Sequence, residues 1–85
     1  MGHGIGEIDA LIREEKRLTA LESQTEAWAE GLSAGIEPEI IAEAALANAF
    51  QELLRTCGED VAVALLDRMR ERVIAGEFEQ DRPLH

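Results

Sequence analysis

The apolar residues of the first third of the chain recur at helical spacing. Between Glu7 and Glu30 there is no proline or glycine, so nothing there interrupts a helix. Five apolar residues occupy the a and d positions of one heptad frame: Leu11, Leu18, Leu21, Trp28 and Leu32. Glu14 and Thr25 fall in the same frame, and three isoleucines lie beside it. We therefore predict a helix over residues 7–33 whose irregular apolar face suits a helical bundle better than a long coiled coil.

A second apolar segment begins at Pro38, which suits the first position of a helix because its missing N–H is not needed there. Glu37 and Glu39 place negative charge at the positive end of the helix dipole. Apolar residues, many of them alanine, cover much of the circumference, which is typical of a helix with neighbours on more than one side. We predict a central helix over residues 38–57, closed by Gly58.

The third apolar pattern is amphipathic and predicts a helix over residues 59–75. Its predicted inward face consists of Val61, Ala62, Leu65, Leu66, Met69, Val73 and Ile74. Because Gly58 alone separates it from the second helix, the two should form a tight antiparallel hairpin. Gly76 should cap the third helix and let Phe78 fold back onto the last turn. Residues 79–85 read as a polar tail that is disordered or lightly docked.

These patterns predict an all-α fold: a long N-terminal helix plus a tight antiparallel helical hairpin, in a single domain over residues 1–78. The chain has 85 residues, and 46% of them are apolar. Of these apolar residues, 13 are alanine and only three are aromatic. A core this thin is often completed by another chain, so we expect self-association into a helical bundle, most simply a homodimer. Candidate interface residues are Trp28, Leu32, Ile41, Ala45 and Phe50. For Trp28 we expect burial inside the chain's own fold, with an interface role as the alternative.

Acidic residues outnumber basic ones by 18 to 8, which gives a net charge of −10. Such a field repels phosphate and anionic membrane surfaces, so we expect neither direct nucleic-acid binding nor membrane binding. It would attract a basic protein partner. Glu22, Glu26 and Glu30 lie one turn apart on the first helix, and form either an ordinary solvated face or an acidic docking strip for such a partner.

Residues able to perform catalysis near neutral pH are scarce. The two histidines, His3 and His85, lie at opposite ends of the chain, and no nucleophile can be paired with a base on the predicted helices. No spacing typical of zinc, calcium or di-iron ligands occurs, so we expect no metal, no cofactor and no catalytic residues. Cys57, the single cysteine, should be a buried structural thiol.

The sequence therefore predicts a small acidic non-enzymatic protein that acts through protein–protein contacts, as an adaptor, assembly factor or small regulator. The alternative is an acidic antagonist that blocks the basic surface of a nucleic-acid-binding protein. The chain shows neither a signal peptide nor an apolar run near the roughly 20 residues of a membrane span, so we expect a cytoplasmic location.

Overall fold

A computed structural model describes residues 5–79 and contains three helices over that range. They are α1 (Ile5–Ser33), α2 (Pro38–Thr56) and α3 (Glu59–Ile74). About 85% of the described residues are helical and none lies in a strand, which confirms the all-α class and the three-helix unit. The bounds differ from the predicted ones by at most two residues, since α1 starts earlier and both α2 and α3 end one residue sooner. The predicted tail beyond Glu79 lies outside the described residues.

The chain divides into two compact units, the first ending at Glu43 and the second beginning at Ala44. In the first unit, the end of α1 meets the start of α2 at Gly31. A Cβ atom added to Gly31 would lie only 2.7 Å from Cδ1 of Ile41. The half-buried Ile41 side chain can therefore pack against α1 only because residue 31 has no side chain. The prediction of a single domain stays a prediction.

The second unit holds the rest of α2 together with α3, which form the predicted hairpin. Its tightest point is Ala62, which is 5% exposed and is the only buried residue among those described. Phe50, Leu53 and Leu65 of the same unit are half-buried, and Phe50 lines a depression together with Ala62. The small alanine side chain lets the two helices approach closely, so α3 is anchored at its first two turns.

The hairpin connection depends on the backbone conformation of Gly58. Its φ of 95° and ψ of 170° fall in a region that only glycine occupies readily. Its N–H donates a hydrogen bond of 3.0 Å to the carbonyl oxygen of Leu53, and its own carbonyl accepts one of 3.3 Å from Ala62. Gly58 therefore joins the end of α2 to the start of α3, as the sequence predicts.

Replacing Gly58 by alanine should lower the free energy of unfolding by about 1–3 kcal/mol, because alanine is strained at this φ and ψ. The added methyl group would meet no described atom within 4 Å, so the loss would come from the backbone rather than from a clash. Gly6→Ala, in the first turn of α1 and equally free of contacts, is the matched control and should change the free energy of unfolding by no more than about 0.5 kcal/mol. Urea unfolding followed by circular dichroism measures both, and equal midpoints for the two variants would contradict the expectation.

Gly76 caps the C-terminus of α3, as predicted. Gly76, at φ 79°, donates its N–H to the carbonyl of Val73, while the N–H of Glu77 reaches the carbonyl of Arg72 at 3.1 Å. This is the double hydrogen bond of a Schellman motif. The Arg72 guanidinium lies 4.8 Å from the ring centroid of Phe78 and also bonds the Glu77 carboxylate at 2.8 Å. Phe78 is thus held against the last turn of α3.

One packing prediction holds only in part and another is wrong. Neighbouring helices do contact α2, since Ile41 meets Gly31 of α1 and Phe50 shares a depression with Ala62 of α3, but none of the residues of α2, all of which the structure describes, is buried. The predicted inward face of α3 is also largely open: Val73 and Ile74 are exposed, as are Val61 and Leu66. Of the predicted inward face, only Ala62 is buried and Leu65 half-buried, because a single neighbouring helix cannot cover all of the larger side chains on that face.

Candidate interaction surface on the first helix

The apolar face of α1 is left uncovered along most of its length. We call this face the seam and define it as Leu11, Glu14, Leu18, Leu21, Thr25, Trp28 and Leu32. Its five apolar side chains keep between 38% and 68% of their surface exposed. From the first to the last seam residue the distance along the helix is about 32 Å. An apolar stripe of this length, at helical spacing, is what a helix presents to a partner helix.

Trp28 does not follow its prediction. It keeps 38% of its surface exposed, so the expectation that it is buried inside the chain's own fold is wrong. It stands on the seam one turn from Leu32, which is also exposed. A large aromatic side chain in this position is well placed to anchor an interface.

Both polar residues of the seam are satisfied within their own helix. The Arg17 guanidinium donates two hydrogen bonds to the two carboxylate oxygens of Glu14, at 3.2 and 2.8 Å. The hydroxyl of Thr25 donates to the carbonyl oxygen of Leu21 at 2.9 Å. Both groups would therefore keep a hydrogen-bond partner if the seam were covered. Losing such a partner is a large cost of burying polar side chains.

The ion pair in the seam has a measurable electrostatic signature. The hydrogen bond from Arg17, and then its positive charge, hold the pKa of Glu14 below its ordinary value. Because the folded-state pKa is lowered, any stability from this pair is present above the unfolded pKa and disappears as the pH falls through the lowered value. The effect on stability is small, since both groups are exposed to solvent.

Replacing Arg17 by glutamine should raise the pKa of Glu14 towards its ordinary value, because both the charge and the bidentate hydrogen bond are removed. Carboxyl chemical shifts followed by NMR during an acid titration measure this directly. Lys16→Gln removes the same charge from the neighbouring residue and serves as the control, with a smaller shift expected. An unchanged Glu14 titration in the Arg17 variant would mean that the pair does not persist in solution.

The predicted acidic strip, Glu22, Glu26 and Glu30, begins beside the seam at Glu22 and turns away from it along the helix. All three residues are exposed, and none forms an ion pair with another residue in the described range. Glu22 and Glu26 border a shallow depression that they share with Leu18, Leu21 and Thr25. Glu22 therefore lies at the edge of the apolar face, and Glu26 and Glu30 lie progressively further from it, since each step of four residues advances about 40° around the helix. None of the three carboxylates forms an ion pair with a cation among residues 5–79. This contrasts with Glu14 and Glu52, each of which is paired with an arginine three residues on.

The other predicted interface residues do not all share this surface. Ile41 is half-buried against Gly31 in the first unit, near the end of the seam. Ala45 and Phe50 belong to the second unit, where Ala45 is exposed and Phe50 is half-buried. The five candidates are therefore divided between the two units, three in the first and two in the second.

The second unit has an apolar groove that the sequence did not reveal as such. Its volume is about 400 Å³, and it is lined by Leu46, Ala49, Phe50, Leu65, Leu66, Met69, Arg70, Val73 and Phe78. The signal that could have located it is Phe78, which follows the Gly76 cap and reaches back to α3. Helical periodicity identifies residues that share a face, but it does not show the distance between two neighbouring helices.

Cys57 also departs from its prediction, because it is exposed rather than buried. It lies one residue beyond the end of α2, at the turn before Gly58, and its Sγ is 3.5 Å from the Thr56 hydroxyl. Over residues 5–79, no group of three or more His, Cys, Asp or Glu side chains is placed to hold a metal ion. The two histidines fall outside that range. Within it, no helix has both the length and the apolar content that crossing a membrane requires.

Comparisons of the chain with protein-family models, with curated proteins and with solved structures found no match.

Proposed function

We propose that this chain is a small non-enzymatic protein that acts through protein–protein contacts, as an adaptor, assembly factor or small regulator. Its working form is a homodimer in which α1 supplies the contact surface. The observation that carries the proposal is the exposed seam, with its five large apolar side chains and its internally satisfied Glu14 and Thr25. These side chains lie on one helix face, and their exposure cannot be relieved without a second surface.

The energetic scale supports association. Full burial of a large apolar side chain contributes about 1.5–3 kcal/mol, so covering a half-exposed one contributes about 1 kcal/mol. Two chains together offer ten such residues, or about 10 kcal/mol before costs. This is comparable with the estimated cost of about 4–15 kcal/mol for bringing two molecules together. At the lower end of that cost about 6 kcal/mol remains, which corresponds to a dissociation constant of tens of micromolar. A homodimer of this kind should therefore form at about 100 μM and dissociate measurably on dilution.

The experiment that tests the proposal is the mass in solution, measured by light scattering behind a sizing column and by sedimentation equilibrium over a range of protein concentrations. The expected mass is twice that of the 9.3 kDa chain, falling towards the monomer on dilution. A well-folded chain that stays monomeric at the highest concentration would contradict the homodimer.

A second candidate function follows from the acidic strip. Three exposed carboxylates lie on successive turns and form no ion pairs with described residues. Their negative charge would attract the basic surface of another protein. In this role the chain would compete with a nucleic acid for a basic binding protein. The test is displacement of DNA from a small basic DNA-binding protein, which the chain should achieve and the triple variant E22Q/E26Q/E30Q should not. Equal displacement by both chains would exclude the strip as the determinant.

A further inference from the structure

We propose that two copies of α1 pair antiparallel, with Leu18 of one copy opposite Leu21 of the other. This inference rests on the proposed homodimer and specifies its geometry. In an antiparallel pair, each a position of one helix faces a d position of the other. Leu18 and Leu21 then form the two central layers, related by a two-fold axis that crosses α1 between them. The surface is consequently self-complementary, as a symmetric dimer requires.

The polar seam residues select this register. With Leu18 opposite Leu21, the next layer outwards places Glu14 opposite Thr25 of the second copy, and the layer after that places Leu11 opposite Trp28. Between Leu11 and Trp28 every polar residue thus faces a polar residue and every apolar residue faces an apolar one; the layer beyond sets Leu32 opposite Glu7, at the end of the contact. Sliding either helix by one heptad would set Glu14 against a leucine, so that the Glu14–Arg17 ion pair would lose hydration with no polar group opposite it.

A parallel pairing fits the same residues less well. It would place Glu14 opposite Glu14 and Trp28 opposite Trp28, so that two carboxylates share one layer and two indoles compete for another. It would also align the two helix dipoles, whereas the antiparallel pair opposes them. The antiparallel arrangement relieves both conflicts, since Glu14 meets a hydroxyl and Trp28 meets a leucine.

Residues that flank the seam make the proposal testable. In the antiparallel register, Glu15 of one copy lies beside Glu22 of the other, and the two-fold axis repeats this contact. Both side chains are exposed, so the register carries two like-charge contacts at its edges. In a parallel pairing, Glu22 would instead lie beside Arg17 of the second copy, which is an attractive contact. The two orientations therefore respond in opposite directions to the charge at position 22.

The experiment is a charge-reversal series measured by sedimentation equilibrium at low salt. Glu22→Lys should tighten the dimer about tenfold, because two repulsive contacts become ion pairs. Glu15→Lys should do the same, and the double variant E15K/E22K should return to near the wild-type affinity because it restores repulsion. Glu26→Lys is the matched control: it makes the same charge change at an outer position of the same helix and should alter the affinity far less. Added salt should strengthen the wild-type dimer and weaken the Glu22→Lys dimer.

The outcomes separate this inference from the proposal on which it rests. A dimer that is weakened by Glu22→Lys and unaffected by Glu15→Lys would overturn the antiparallel register while leaving the homodimer in place. A dimer that responds equally to Glu22→Lys, Glu15→Lys and Glu26→Lys would place the contact away from α1, and would also overturn it. A monomer in wild type and in every variant would contradict the proposed homodimer itself.

Discussion

Replacing Leu21 by glutamate should convert the protein to a monomer at the concentrations where the wild-type chain is a dimer. Leu21 is 54% exposed in the single chain and occupies both central layers of the proposed dimer. Each substitution removes the burial of a leucine and places a carboxylate where water is excluded, at a cost of roughly 2–3 kcal/mol per site. Two sites per dimer together weaken association by at least about a thousandfold. Sedimentation equilibrium across the concentration range of the wild-type dimer measures the change.

The control is Ser23→Glu, which adds the same charge to the opposite side of α1. Ser23 is exposed and lies outside the seam, so this variant should keep a dimer within a few-fold of the wild-type affinity. Glutamate and leucine have similar helix propensities, so α1 should keep its helicity in the Leu21 variant when followed by circular dichroism. A Leu21→Glu protein that remains dimeric would show that the seam is not the contact surface.

Replacing Ala62 by glutamate should unfold the hairpin of the second unit. Ala62 is the one buried residue of the described chain, at 5% exposure, and it borders an apolar depression with Phe50 and Leu54 of α2. The carboxylate must either lose its hydration or force the helices apart, and we expect a loss of about 3–5 kcal/mol in the free energy of unfolding. For a domain of this size that is most of the total stability.

Urea unfolding followed by circular dichroism at one protein concentration measures this loss. Ala64→Glu is the matched control, because it makes the same substitution two residues further along α3 at an exposed position. It should change the unfolding midpoint only slightly, since exposed surface substitutions usually stay within about 0.5 kcal/mol. If the two variants unfold at the same urea concentration, Ala62 is not the contact that holds α3 to α2.

The elements of the fold could be predicted from local patterns because their causes are local. Pro38 starts α2, Gly58 and Gly76 end helices through conformations that suit glycine, and Phe78 follows a cap that turns it back. Each of these effects involves residues within about one helical turn. The prediction of three helices therefore needed no knowledge of packing.

The candidate site was predicted only in part. The heptad pattern placed Leu11, Leu18, Leu21, Trp28 and Leu32 on one face, and the structure keeps them there. The sequence favoured burial of Trp28 and Cys57, and both are exposed, because burial depends on which residues a neighbouring helix brings close. Periodicity specifies a face but not what covers it.

What the sequence alone determined is the helical content, the position of the helix ends, the acidic charge and the composition of the seam, since all of these follow from residue identity and spacing. The tertiary structure decided that Ala62 is the point of closest contact, that Ile41 rests on Gly31, and that the apolar face of α1 lies open. The physical reason is that a side chain's exposure is set by the shape and distance of the surfaces around it. Small residues allow close contact at a few points, and the larger residues beside them keep their exposed area for a partner.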